Sequence, residues 1–190
     1  MNMKSKVKIL TWAAAGLVLL SGCIKEIDPQ TSNVTIDQAN NAPGAFVNFV
    51  SAITNSLAGS FTYSKSKQHP YDFGYPSFFL MRDVMGQDIA LEDKGSEWYT
   101  TWYACGVGLG PQYAVSQYPW TYYYGWIKSC NIVISMAGEN PDGERMVGSG
   151  IAYAMRAMFY MDIARMFAQK SYAMDKMAET VPLVLETTGL

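Results

Sequence analysis

The sequence predicts an all-α fold, and three observations carry that prediction. From Trp120 to Ala137 and from Arg145 to Gln169, apolar residues recur every three or four positions, the period of a helix with one buried face. Between these stretches lies GENPDGE, residues 138–144, whose glycine, asparagine and proline break a helix and turn the chain. Ahead of them, two shorter stretches following Pro43 and Pro76 show the same period.

In chain order, Pro43 suits the first turn of a helix, because proline has no N–H to lose there. Phe46, Phe49, Val50, Ile53 and Leu57 then fall on one face, and Gly59 supplies an end. Residues 60–75 read as loop, with Pro70 and Gly74. Pro76 opens a short helix presenting Phe79, Leu80, Val84 and Met85, closed by Gly86. From Gln87 to Pro119 no period is sustained, and Gly95, Gly106, Gly108, Gly110 and Pro111 punctuate it, predicting a long ordered loop. Loops of that length inside a domain usually carry function. Pro119 starts the next helix, with Trp120, Tyr123, Tyr124, Ile127, Cys130, Asn131 and Ile134 on its apolar face. In the following helix Ile151, Met155, Met158, Phe159, Ile163 and Met166 make a wide apolar surface, while Asp162, Arg165 and Gln169 share a polar one. A short connection makes the two antiparallel neighbours. A weak helix is expected over Ser171–Ala178, after which VPLVLETTGL runs extended, with no later strand to pair it.

The front of the chain is built differently. Lys4, Lys6 and Lys8 precede an apolar run from Ile9 to Leu20, shorter than the ~20 residues that span a bilayer, and this pattern is that of an export signal. Leu20-Ser21-Gly22-Cys23 resembles the bacterial lipobox, in which the cysteine becomes the lipid-modified first residue of the mature protein. The reading is a signal peptide over 1–22, a lipidated tether over 23–41 anchored through Cys23, and a helical domain over 42–190. Acyl chains hold such a protein on a membrane without a transmembrane helix. Ile24-Lys25-Glu26-Ile27-Asp28 is similar to the acidic stretch that directs Bacteroidetes lipoproteins to the cell surface.

Composition narrows the partners. Residues 1–22 carry three of the 14 basic residues and none of the 16 acidic ones, which leaves eleven against sixteen, a net charge of −5. A mildly acidic domain without a basic stripe does not suit nucleic acid. An oxidising compartment permits a disulfide between Cys105 and Cys130, but the place of Cys130 on an apolar helix face favours a buried free thiol. From Trp98 to Trp126, 11 of 29 residues are Trp or Tyr. Both have a polar handle suited to binding surfaces, yet some must be core. Trp120, Tyr124 and Ile127 fit the core, whereas Trp98, Tyr99, Trp102 and Tyr103 sit in the aperiodic region beside Asp93 and Glu97. Those four either form a binding surface or cover the helices. Tyr71 and Tyr75 fit either role.

Two residues break the local rules. Asn131 lies between Ile127 and Ile134 on an apolar face, and a buried amide needs partners. Arg156 lies off the polar face of its own helix, among Ala152, Tyr153, Phe159 and Tyr160, and needs a carboxylate or carbonyl fork. Both are expected to be structural, tying helices together.

WTYYYGWIKSCNIVISMA, then GSGIAYAMRAMFYMDIARMFAQ, then TVPLVLETT resembles the SusD/RagB family of Bacteroidetes outer-membrane lipoproteins. The carriers are the aromatic-led helix with Ile127 and Asn131, the Ala154-x-Arg156-Ala157 step with Tyr160 and Arg165, and Val181-Pro182-Leu183-Val184; the lipobox and MRDVMGQD fit as well. The resemblance implies tetratricopeptide-like helical hairpins with long aromatic-rich loops, and an anchor in the outer membrane facing the cell surface. It implies capture of an oligosaccharide or polysaccharide and delivery to a SusC-like TonB-dependent transporter, without cofactor or catalysis. Family members are more than twice as long, so the chain is expected to correspond to a SusD-like N-terminal half.

The chemistry of sugar recognition fits the aromatic stretch. The C–H face of a pyranose lies flat on Trp or Tyr while its hydroxyls hydrogen-bond around the edge, and Trp98, Tyr99, Trp102, Tyr103, Asp93 and Glu97 are the candidate glycan-binding residues. Two other classes compete. A glycoside hydrolase needs paired carboxylates ~5–9.5 Å apart, and Asp83, Asp88, Glu92, Asp93 and Glu97 are close only in sequence. A non-catalytic scaffold would dock on the transporter without touching sugar. His69 is the single histidine, which leaves multi-histidine zinc sites without ligands. DIALEDKGSE lacks calcium-loop spacing, and CGVGLG lacks the phosphate-binding glycine pattern.

Overall fold

The computed structural model describes residues 38, 41–58, 73–92, 99–105 and 108–186. The expectations for Cys23, His69, Tyr71, Asp93, Glu97, Trp98 and the signal peptide fall outside these residues. All the described residues belong to one unit, Ile36–Leu190. They are helical with no strand, in the order α1 (Ala45–Leu57), α2 (Tyr75–Met85), α3 (Thr100–Tyr103), α4 (Ala114–Ala137) and α5 (Gly143–Phe167). None of these helices is long and apolar enough to cross a membrane.

α4 and α5 form the predicted pair, and their contacts show its direction. Near the connection Arg145 donates a hydrogen bond to the Met136 carbonyl. Further along, Arg156 reaches Asn131. At the far end Phe167 meets Trp120 edge-on at 5.1 Å between ring centroids. Residue numbers falling on one helix as they rise on the other make the helices antiparallel. Gly138 ends α4 at φ 81°, a left-handed conformation that a glycine adopts without a Cβ clash. Glu144 sits in the first turn of α5, where a negative charge complements the helix dipole.

α1 packs against both helices of the pair. Phe46 and Ile53 are buried, with Phe49, Val50 and Leu57 half-buried beside them, as their spacing predicts. The close approach depends on Gly148, where a Cβ would come within 2.6 Å of Phe46 Cζ and 2.9 Å of Val50 Cγ2. The Arg145 guanidinium lies 5.3 Å from the Phe46 ring centroid, joining α1 to the bend of the hairpin.

Several elements differ from expectation. α4 begins at Ala114, so Pro119 lies inside it rather than at its start. Its missing N–H forfeits one ladder bond near the helix start. There Ser116 Oγ donates to the Leu109 carbonyl at 2.8 Å and Gln117 Nε2 donates to the Pro111 carbonyl at 3.0 Å, fixing the incoming chain. The predicted loop from Gln87 to Pro119 therefore contains α3 and the first turns of α4. α5 runs two residues ahead of its predicted span. Ser171–Ala178 forms turns, not a helix.

α2 occurs where predicted but turns a different face inward. Ser77, Phe78, Met81 and Val84 are buried, while Phe79, Leu80 and Met85 are exposed. Phe78 is the hub: its ring lies 5.2 Å from Tyr118, 5.1 Å from Tyr123 and 5.6 Å from Trp126. Trp126 in turn stacks on Phe159 of α5 at 5.4 Å and 27°. Offset and edge-on aromatic pairs add ~0.5–1.5 kcal/mol each beyond their buried area. Much of the aromatic run is therefore the glue between α2, α4 and α5.

The extended segment 181–186 finds its partners in helix side chains instead of a strand. Tyr124 Oη donates to the Pro182 carbonyl at 2.7 Å, and Asn131 Nδ2 donates to that of Val184 at 2.8 Å. Tyr160 Oη both donates to the Val184 carbonyl, at 2.9 Å, and accepts from the Val184 N–H, at 2.7 Å. Arg156 donates to Asn131 Oδ1 at 2.8 Å and so completes the amide. Asn131 thus joins α4 to the 181–186 segment, and Arg156 joins α5 to Asn131.

Candidate functional site

Burial sorts the aromatic residues. Tyr99, Trp102, Tyr118, Tyr122, Tyr123 and Trp126 are buried, and Tyr124 is half-buried. Among the predicted glycan-binding residues that are described, Trp102 is only 2 % exposed and Tyr99 9 %, whereas Tyr103 is 41 % exposed. The first two cover the core, with their rings 5.6 Å apart, and only Tyr103 presents a substantial surface. Asp83, Asp88 and Glu92 are exposed.

Trp120, placed in the core by its spacing, is instead 37 % exposed. It sits one turn before Tyr124 on α4, a spacing that stacks side chains along a helix face, and the rings lie 4.9 Å apart. Phe167, the last residue of α5, closes the other side edge-on. Together with Pro111, Gln117 and Thr121, Trp120 and Phe167 line an open hollow of about 430 Å³. An aromatic wall beside an amide and a hydroxyl is what a sugar ring requires: a flat apolar face, with hydrogen-bonding groups at its edge.

A second cavity of about 330 Å³ adjoins the first, since both are lined by Ser116 and Phe167. Its walls include Trp102, Met166 and two arginines, Arg82 and Arg165. The arginines differ sharply. Arg82 donates to Asp162 Oδ1 at 2.6 Å, and the Tyr75 hydroxyl donates to Asp162 Oδ2 at 2.5 Å. Tyr123 approaches the same oxygen at 3.5 Å. Asp162, expected on a polar face, is only 4 % exposed and sits at the centre of this cluster. Arg165 is exposed, and its guanidinium has no hydrogen-bond or ion-pair partner among the described residues.

The electrostatics follow from burial. Tyr75 is pushed up to about 12, first by burial and then by its bond to Asp162. Tyr123 is raised further, by burial and then by the Asp162 charge. Burial works against the Arg82 charge, but the Asp162 bond and charge outweigh it, so the net shift is upward. At neutral pH the two tyrosines stay protonated and Arg82 stays charged beside the Asp162 carboxylate, which is the behaviour of a structural node. No group of three His, Cys, Asp or Glu residues able to hold a metal occurs among the described residues. Cys105 and Cys130 are free thiols; Cys130 is buried and its thiol is raised to about 12, chiefly by burial.

Sequence reasoning missed Trp120 and Arg165 as a pair. The usable signal was their place at the same end of an antiparallel hairpin, where the start of one helix and the end of the other must meet. Comparison with known protein families, curated proteins and solved structures finds no match.

Proposed function

We propose that the chain is a non-catalytic glycan-binding lipoprotein of the cell surface, of SusD type, which hands oligosaccharides to a TonB-dependent transporter in the outer membrane. The observation that carries the binding half is the partly exposed Trp120 with Tyr124 tilted beside it and Phe167 edge-on to it, and with Gln117 and Thr121 at the rim of the same hollow. The lipobox-like Leu20–Cys23 supports the anchor. The all-α hairpin with its side-chain-held 181–186 segment supports the tetratricopeptide-like, SusD-type reading of the fold. Tyr103 offers a further exposed ring, and Tyr99 and Trp102 contribute by holding the surface from beneath.

The test is affinity electrophoresis of the full chain through gels containing polysaccharides of different backbone, with Trp120→Ala and Tyr103→Ala beside it. Retardation on at least one polysaccharide, weakened by Trp120→Ala with unchanged circular dichroism, is the expected result. Trp102→Ala is unsuited to this purpose, because it opens the core. A second reading, a protein-docking scaffold, is favoured by one observation: α5 exposes Met146, Val147 and Met161, each more than half accessible. Co-purification with the transporter but retardation on no polysaccharide would replace the receptor reading by the scaffold.

A further inference from the structure

The cavity next to Trp120 carries an unspent charge. Arg165 lines it with no hydrogen-bond or ion-pair partner among the described residues, while Arg82, which lines the same cavity, is matched by Asp162. Arg165 also borders a neighbouring hollow that holds Lys170, Lys176 and Asp175, of which Lys170 pairs with Asp175 at 3.3 Å. Among the described residues that line these two hollows the charges therefore sum to an excess of positive, in a chain whose formal net charge is −2. A guanidinium is a planar fork matched to a two-oxygen anion, and at a cavity edge it can take such an anion through two parallel hydrogen bonds.

We propose that this site selects acidic glycans: a sugar ring lies on Trp120 and Phe167 while an oxyanion borne by that sugar or its neighbour binds Arg165 in the adjoining cavity. The inference rests on the glycan-binding reading and adds the ligand class. Phe167 and Ser116 belong to both hollows, so a ligand of two or three sugars spans them without leaving the surface. The overall acidity of the chain disfavours long polyanions at large and leaves a local preference for an oxyanion presented on a sugar. Carboxylate and sulfate ester both supply that chemistry.

The experiment measures binding of the full chain, purified in detergent, to four probes by isothermal titration calorimetry. These are oligogalacturonate, its methyl ester, a sulfated galactan oligosaccharide and its desulfated form. Arg165→Ala and Arg165→Lys are compared with the parent chain; the side chain is exposed and makes no bond to another described residue, so both variants should retain the fold. The expected result is binding of at least one charged probe that exceeds its neutral counterpart. Arg165→Ala should weaken it at least about tenfold, and Arg165→Lys should weaken it less. Which charged probe binds identifies carboxylate or sulfate as the source. Equal affinity for charged and neutral forms, or no effect of Arg165→Ala, overturns the acidic preference while glycan binding stands. Binding of none of the four, with retardation on neutral polysaccharides in the gel assay, overturns it as well. Failure in both assays overturns the glycan reading itself.

Discussion

Replacing Asp162 by alanine tests the reasoning about the buried node most directly. The carboxylate takes a 2.6 Å bond from Arg82 and a 2.5 Å bond from Tyr75, with Tyr123 at 3.5 Å, too long to count for much. Arg82 is the sensitive partner, because its side chain is only 22 % exposed and keeps its charge when the acid is removed. Breaking a buried pair on one side costs about 3–5 kcal/mol, most of it the penalty of the stranded charge. That is a large part of the ~5–15 kcal/mol by which domains are stable. At ~2–4 °C per kcal/mol for a chain of this size, the melting temperature should fall by roughly 6–20 °C. Urea denaturation followed by circular dichroism should show a lower midpoint with an unchanged slope. If stranded donors cause the loss, removing them should restore stability. Adding Arg82→Met and Tyr75→Phe to Asp162→Leu should recover at least half of it. A loss below ~1 kcal/mol for the single variant, or simple additivity in the triple one, would refute the account.

Gly148→Ala should destabilise by ~1–2 kcal/mol, because the clash with Phe46 and Val50 outweighs the gain in helix propensity. Gly150→Ala, where a Cβ meets nothing within 4 Å, should stabilise by ~0.5–1 kcal/mol, and equal signs for the two in urea melts would sink the close-approach argument. Tyr160→Phe removes both bonds to Val184, so the Val184 amide should exchange hydrogen markedly faster while the urea midpoint moves by only ~1–2 kcal/mol equivalent. Unaltered exchange there would mean the helices do not hold the segment. Cys130 rises from 9.0 to about 12, and Tyr75 and Tyr124 rise from 10.0 to about 12. Folded values above the unfolded ones mean stability that is complete below pH 9 and lost as pH climbs toward 12. Circular dichroism against pH should show unfolding in that window, and a thiol reagent at pH 8 should label Cys105 but not Cys130; equal labelling rates would contradict the burial.

The pattern of the chain determined the helical class, the α4–α5 pair and the inward face of α1, because each follows from the 3.6-residue repeat of a helix with one apolar side. It also marked Asn131 and Arg156 as residues in need of partners, since a polar group on an apolar face must find one somewhere, and the two bond to each other. The facing of α2 was decided only in three dimensions: Phe78, Phe79, Leu80 and Met81 are consecutive and apolar, so the period had no unique phase, and Phe78 won by fitting among Tyr118, Tyr123 and Trp126. Asp162 looked solvated because its partner Arg82 is 80 residues away, and no local pattern records such a distance. Trp120 and Trp126 share one helix and one chemistry, yet six residues of helix turn them to different sides, one to the hollow and one to the core. Aromatic residues with a polar edge suit either place, so composition announced a surplus of them, and only the packing of α2 and α5 against α4 decided which were left exposed.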